Sequence, residues 1–110
     1  MIRLFTEEWR ELAVAAQYDA NALAKLRNVS VRQLQRIFRL QLGRSPQEWL
    51  NEQRILAAQK SLGVGNPIKM VALDLGFKQS SHFCRQFKTL TGFTPSQFKE
   101  TVATLDVAPG

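Results

Sequence analysis

Two sets of side chains in this 110-residue sequence have the types and spacing for recognition chemistry. Arg32, Gln35, Arg36 and Arg39 fall at i, i+3, i+4 and i+7, which is one face of a helix. Ser81, His82, Cys84, Arg85 and Lys88 make a second such face. A guanidinium is a planar fork that grips a phosphate or bridges O6 and N7 of guanine, and a Gln amide bridges N6 and N7 of adenine. Helices carrying such faces fit the major groove of a duplex.

The charge distribution points the same way. Fifteen Lys and Arg against nine Asp and Glu give a net +6, which calls for a polyanionic partner. Between Asp19 and Glu48 there is no acid, while Lys25, Arg27, Arg32, Arg36, Arg39 and Arg44 fall inside. Between Asp74 and Glu100 the pattern recurs with Lys78, Arg85, Lys88 and Lys99. A merely solvated helix face would carry both signs. A membrane surface fits less well than nucleic acid, because no window joins a basic face to a strongly apolar one. No apolar run nears the roughly 20 residues of a membrane-spanning helix, and Met1 to Phe5 is followed by acids instead of a signal-peptide core. One cysteine cannot form an internal disulfide, and one cysteine with one histidine cannot build a zinc site. A reduced, cytoplasmic chain without cofactor or membrane is the expectation.

Enzyme readings fail on the same residues. The Gly63–Lys69 stretch has glycines and a lysine but not the spacing of a phosphate loop. Glu48 and Glu52 share a side at i,i+4, on a polar face where both should be ionised and solvated. A single histidine gives nucleophilic catalysis no constellation to work with.

The elements that must hold the two faces are helical throughout. Ser30–Gln33, Ser45–Glu48 and Thr94–Gln97 have capping-box spacing, and Pro46, Pro67 and Pro95 each follow a good cap residue, Ser45, Asn66 and Thr94. Asp19 and Thr6 can cap two further starts. Gly43, Gly63, Gly76 and Gly92 follow apolar-periodic stretches, where a left-handed residue closes a helix. These signals predict an all-α chain of seven helices over 6–17, 20–27, 31–42, 46–62, 67–75, 80–91 and 95–103, with 104–110 as a frayed tail. Phe5, Trp9, Leu12 and Ala16 should share one buried face, as should Ile55, Ala58 and Leu62. Trp9 and Trp49 read as core anchors, and Leu34–Phe38 and Phe83–Phe87 as inward i,i+4 pairs.

The chain also repeats itself. An offset of 49 places Arg36 on Arg85, Phe38 on Phe87, Gly43 on Gly92 and Pro46 on Pro95. Leu23-Ala24 matches Val71-Ala72 at an offset of 48, so the second copy has one extra residue in its turn. Two tandem helix–turn–helix units are the simplest account. In each, a small residue (Ala24 or Ala72) admits the second helix, and Val29 or Phe77 plugs the corner. The domain plan is a first subdomain over 6–44, a linker helix over 45–63 and a second subdomain over 64–103. Within that linker, the helix from Pro46 to Leu62 spans about 25 Å at 1.5 Å per residue, and with the helix diameters brings the recognition helices near one DNA turn apart, about 34 Å.

The runs Leu34-Gln35-Arg36-Ile37-Phe38-Arg39 to Gly43-Arg44-Ser45-Pro46, Ile68 to Phe77, Phe83-Cys84-Arg85-Gln86-Phe87-Lys88 and Thr91-Gly92-Phe93-Thr94-Pro95 resemble the DNA-binding domain of the AraC/XylS family of bacterial transcription regulators. The likeness covers roughly 6–100, and its second half is the more specific. It implies sequence-specific binding to double-stranded DNA, two recognition helices in successive major grooves, control of transcription initiation with RNA polymerase as a partner, and a cytoplasmic, nucleoid-associated location. Positions matching the family's base-reading sites are Arg32, Gln35 and Arg36 in the third helix and Ser80, Ser81, Cys84 and Arg85 in the sixth. Cys84 departs from the pattern, standing in an outward slot where a polar residue is expected, and the first helix is less typical than the rest.

Arg39, Arg44, Lys78 and Lys88 serve equally as phosphate contacts or solvated charges, and His82 is a phosphate contact or simply an exposed helix residue. Arg54 reads as a structural ion-pair partner instead of a DNA contact. Because the tandem repeat already supplies two recognition helices, the isolated domain is expected to bind as a monomer. The family's larger members carry a ligand-binding or dimerising half before this domain, and excision from such a chain is the expectation here. The competing class is a helical interaction module whose basic surface meets an acidic protein or RNA.

Overall fold

The computed structural model describes residues 6–106, with the side chains of 104–106 left aside. Among them are seven helices and no strand: α1 (Glu7–Ala15), α2 (Ala20–Leu26), α3 (Val31–Leu42), α4 (Pro46–Gly63), α5 (Ile68–Asp74), α6 (Ser80–Thr91) and α7 (Pro95–Asp106). The chain divides between Arg54 and Ile55 into two compact units, so the first half of α4 is built into one and the second half into the other. The expected place of Phe5 on the face of α1, and the tail beyond Asp106, lie outside the described residues.

Helix starts follow the sequence closely. Ser30 Oγ accepts from Gln33 N while Gln33 Oε1 accepts from Ser30 N, a complete capping box at α3. Thr94 and Gln97 do the same at α7. Asp19 accepts from Ala22 N at α2, and Ser45 accepts from Glu48 N at α4. Two starts differ. Thr6 stands at the N-cap of α1 without a side-chain cap bond. Asn66 does not cap α5: the helix begins at Ile68, one residue later than expected, so Pro67 takes the cap position, while the Asn66 amide donates to Ser61 Oγ at 2.9 Å.

Helix ends show where the sequence signal was incomplete. At four places a left-handed residue closes the helix with the paired backbone bonds of a Schellman turn. Gly76 N donates to Leu73 O and Phe77 N to Ala72 O; Asn28 N donates to Lys25 O and Val29 N to Ala24 O. Gly65, not the expected Gly63, closes α4, and Gly63 lies inside the helix. Helix α1 stops at Ala15 instead of continuing to 17, because Gln17 and Tyr18 are both left-handed, at φ 51° and 59°. No glycine marks that corner, so the sequence offers no stop signal there. Helix α7 runs three residues past the expected end at 103.

Each unit has its own core. In the first, Trp9, Ala13, Ala16, Leu23, Ala24, Leu34, Phe38, Trp49 and Leu50 are buried. Phe38 is its centre, edge-on to Trp9 (centroids 5.9 Å apart) and to Trp49 (5.5 Å). In the second, Ile55, Ala58 and Leu62 of α4 pack with Val71, Ala72, Phe77, Phe83 and Phe87. Phe87 meets Phe83 at 5.7 Å and Phe98 at 5.5 Å. Phe38–Trp49 and Phe87–Phe98 are therefore one contact made twice, 49 residues apart. Burying each ring contributes about 1.5–3 kcal/mol, and edge-to-face pairing adds about 0.5–1.5 kcal/mol.

Candidate nucleic-acid interface

Burial of Leu34 and Phe38 fixes the roll of α3, and Phe83 and Phe87 fix that of α6. What the cores do not take is left to solvent. On α3, Arg32, Gln35, Arg36 and Arg39 are all exposed. On α6, Ser81, His82, Arg85 and Lys88 are exposed, and Lys78 is exposed in the preceding turn. These are the faces expected from the spacing. Ser80 is only half-buried at the helix start, and Cys84 differs from its expected outward slot: it is half-buried and packs against the core of the second unit.

Ion pairing sorts the cations further. Arg27 binds Glu8 at 3.1 Å and lies over the Trp9 ring, 4.9 Å from its centroid, so it belongs to the first unit's framework. Arg44 is paired with Glu52. Among the described residues no acid pairs with Arg32, Arg36, Arg39, Arg85 or Lys88, whose charge is left for a partner. Arg54 is half-buried beside Tyr18. Burial pushes its guanidinium below the usual arginine range, opposed by the Tyr18 phenol. Burial likewise pushes the Tyr18 phenol up, opposed by Arg54.

Besides its own backbone bonds, the corner ahead of α2 is held by one side-chain amide. Gln47 of α4 accepts from Ala20 N at 3.0 Å and donates to Tyr18 O at 2.9 Å and to Asn51 Oδ1 at 3.0 Å. It ties the carbonyl of Tyr18, the second left-handed residue, to α4 and so helps position α2, the helix on which α3 rests. The turn into α3 has four residues, 27–30, and that into α6 has five, 75–79. The additional residue lets Lys78 and Gln79 join Ser81, His82 and Arg85 around a shallow surface depression. Gln79 was missed in the sequence; its only signal was its place beside Lys78 in the longer turn. Ser81 Oγ donates to it at 3.5 Å.

No group of His, Cys, Asp and Glu able to hold a metal ion exists among the described residues, and no helix there is long and apolar enough to cross a membrane.

Residues 23–101 match the family model described as a helix-turn-helix domain. The chain is 35% identical over 85 residues to the arabinose operon regulatory protein of Escherichia coli, an alignment covering 76% of this chain and 29% of that one. It is 38% identical over 84 residues to the HTH-type transcriptional regulator RipA of Corynebacterium glutamicum, covering 76% and 25%. The chain thus spans less than a third of the length of these relatives. Among solved structures, the DNA-binding domain of AdpA in complex with a target DNA superposes with a TM-score of 0.76 at 26% identity, covering 91% of this chain and 93% of that one. A transcriptional regulator with an AraC-type DNA-binding domain from Chromobacterium violaceum gives 0.75 at 26% identity, covering 91% and 89%.

Proposed function

This chain belongs to the AraC-type helix-turn-helix family of transcription regulators, and from that premise we propose that it binds double-stranded DNA sequence-specifically, with α3 and α6 as its recognition helices. One observation carries the reading: the same polar, acid-free face stands exposed on both helices, at corresponding positions of a repeated unit. Arg32, Gln35 and Arg36 read bases from α3. Arg85 reads from α6, with Ser80, Ser81 and the exposed part of Cys84 beside it. Arg39, Lys78, His82 and Lys88 bind phosphates and set the register. Arg44 contributes less, because contact with a phosphate would have to compete with Glu52. The AdpA structure supports a duplex as the partner, being itself a complex with target DNA.

The domain acts as a monomer on an asymmetric site, since α3 and α6 present different side chains. Within a longer regulator it would meet RNA polymerase at promoters. Binding to duplexes measured across a salt series tests the reading. A steep fall in affinity with salt, together with a preferred sequence bound at least about 10³-fold more tightly than random DNA, is expected. A flat response to every duplex, with retention of RNA or an acidic protein, would instead support an interaction module. Ultracentrifugation finding two chains on one minimal site would overturn the monomer.

A further inference from the structure

Two side-chain bonds, one in each unit, fall on the same backbone atom of the repeat. At the corner between α1 and α2, Gln17 N donates to Val14 O and Tyr18 N to Ala13 O. At the corner between α4 and α5, Gly65 N donates to Leu62 O and Asn66 N to Ser61 O, each atom 48 residues further on. Tyr18 and Asn66 are therefore equivalent, and each stands just before the N-cap of the first helix of its helix–turn–helix. The Tyr18 carbonyl accepts from Gln47 Nε2 at 2.9 Å, and the Asn66 carbonyl from Lys99 Nζ at 3.1 Å. The donors come from α4 and α7, the helices that follow the two recognition helices, but not from matching positions. At the offset of 49, Gln47 falls on Ser96 and Lys99 on Leu50. The bond recurs where its donor does not, so likeness of sequence between the units does not account for it.

We infer that Gln47 and Lys99 are positioning residues for sequence reading: each fixes the pose of one recognition helix without touching the duplex. The inference rests on the DNA-binding reading above. Helix α3 packs on α2 and, through Phe38 and Trp49, on α4, while α6 packs on α5 and on α7. Each bond thus ties together the two helices that flank a recognition helix. A side chain that reads a base edge must be held in place by the groups behind it. With the tie cut, the recognition helix samples poses that do not fit the groove, and apparent affinity falls with the competent fraction. Gln47 also accepts from Ala20 N, so unit one is tied through both ends of the amide. Lys99 lies in the acid-free stretch before Glu100, where charge alone would assign it to phosphate. It is half-buried, and its ammonium is given to Asn66 instead.

Lys99→Met, Lys99→Arg and Gln47→Ala test this beside the wild-type chain, each checked for folding by thermal unfolding. Lys99→Met keeps an apolar stem and removes the donor, so the loss of the bond is separated from a loss of packing. Fluorescence anisotropy across a salt series gives affinity for the duplex selected by the wild type, for two derivatives each altered in one recognised element, and for random duplex. Lys99→Met should bind the selected duplex about three- to tenfold more weakly, and lose discrimination only at the element that Arg85→Ala also blurs. Gln47→Ala should act in the same way, by a larger factor, at the element that Arg36→Ala blurs. Affinity for random duplex and the salt slope should be unchanged in both, and Lys99→Arg, which keeps a donor, should retain discrimination. A salt slope lowered by about one in Lys99→Met, with all duplexes weakened alike, makes Lys99 a phosphate contact and overturns the inference. Full discrimination at both elements in Lys99→Met overturns it too, since the bond would then serve stability alone. Either result leaves the DNA-binding reading intact, whereas a wild type that prefers no duplex overturns both.

Discussion

In the first unit Ser30 and Gln33 close the start of the recognition helix on itself. In the second, Gln79 stands at the N-cap without a side-chain cap bond, and His82 replaces the glutamine. Further along, Gln35 is exposed on α3 where Cys84 turns half into the core on α6. Yet the turn bonds, the small residue at the crossing and the central phenylalanine with its aromatic partner are the same in both. The two units share what packing requires and differ in what faces solvent. The first unit exposes Arg32, Gln35 and Arg36 along its face, while the second exposes one arginine among small residues, a histidine and lysines. On the proposed reading, unit one would be the stronger reader of sequence and unit two the stronger anchor.

The largest expected effect lies in the shared skeleton. Phe38→Ala and Phe87→Ala should each cost about 3–5 kcal/mol, measured by urea unfolding, because each ring is fully buried between two aromatic partners. A small loss at only one of them would break the equivalence of the two cores.

Next come the exposed faces. Arg36→Ala and Arg85→Ala should each cost about 1–3 kcal/mol at the preferred site and relax base preference locally. Gln35→Ala should also relax a preference, and Ser81→Ala should relax one by less, since a single hydroxyl makes a weaker base contact than a bidentate amide. Lys78→Ala should weaken all duplexes alike and lower the salt slope by about one, and Arg44→Ala should do so less, since Arg44 is already paired with Glu52. Equal losses on specific and random duplexes from Arg36→Ala would remove its base-reading role.

The helix starts differ by less. Ser30→Ala should cost about 1 kcal/mol by removing a formed cap, while Gln79→Ala should be nearly neutral and Gln79→Ser should stabilise by about 0.5–1 kcal/mol. Thermal unfolding of the three variants checks this, and a substantial loss from Gln79→Ala would sink it.

The smallest effect is confined to alkaline solution. The folded Tyr18 phenol holds its proton to higher pH than an unfolded one, so its contribution to stability should be constant below about pH 10 and become unfavourable above it as the unfolded state ionises first. Tyr18→Phe should lessen that fall in a pH series of unfolding curves. An unchanged alkaline loss would assign it to other groups.

Much of this was legible in the sequence because the fold writes its signals locally. Capping boxes, the glycines at 43, 76 and 92, and the register of Leu34, Phe38, Phe83 and Phe87 act within one or two helical turns. What was not legible depends on tertiary context. The corner at Gln17 and Tyr18 is left-handed without a glycine, held by Gln47 from another helix. Asn66 has the chemistry of a cap, but α5 starts one residue further on and leaves it outside the cap position. Arg27 and Arg44 sit in an acid-free stretch of sequence, yet Glu8 and Glu52 reach them through space. Sequence distance hid those acids, and with them the difference between cations that build the domain and cations free to bind.

The most direct test of the division between reader and anchor is selection from a pool of random duplexes by the wild-type chain, Arg36→Ala and Arg85→Ala in parallel. The wild type should return one asymmetric site with two recognised elements, the more sharply defined one losing definition in Arg36→Ala and the weaker one in Arg85→Ala. A palindromic site, no enriched sequence, or loss of the same element in both variants would contradict it.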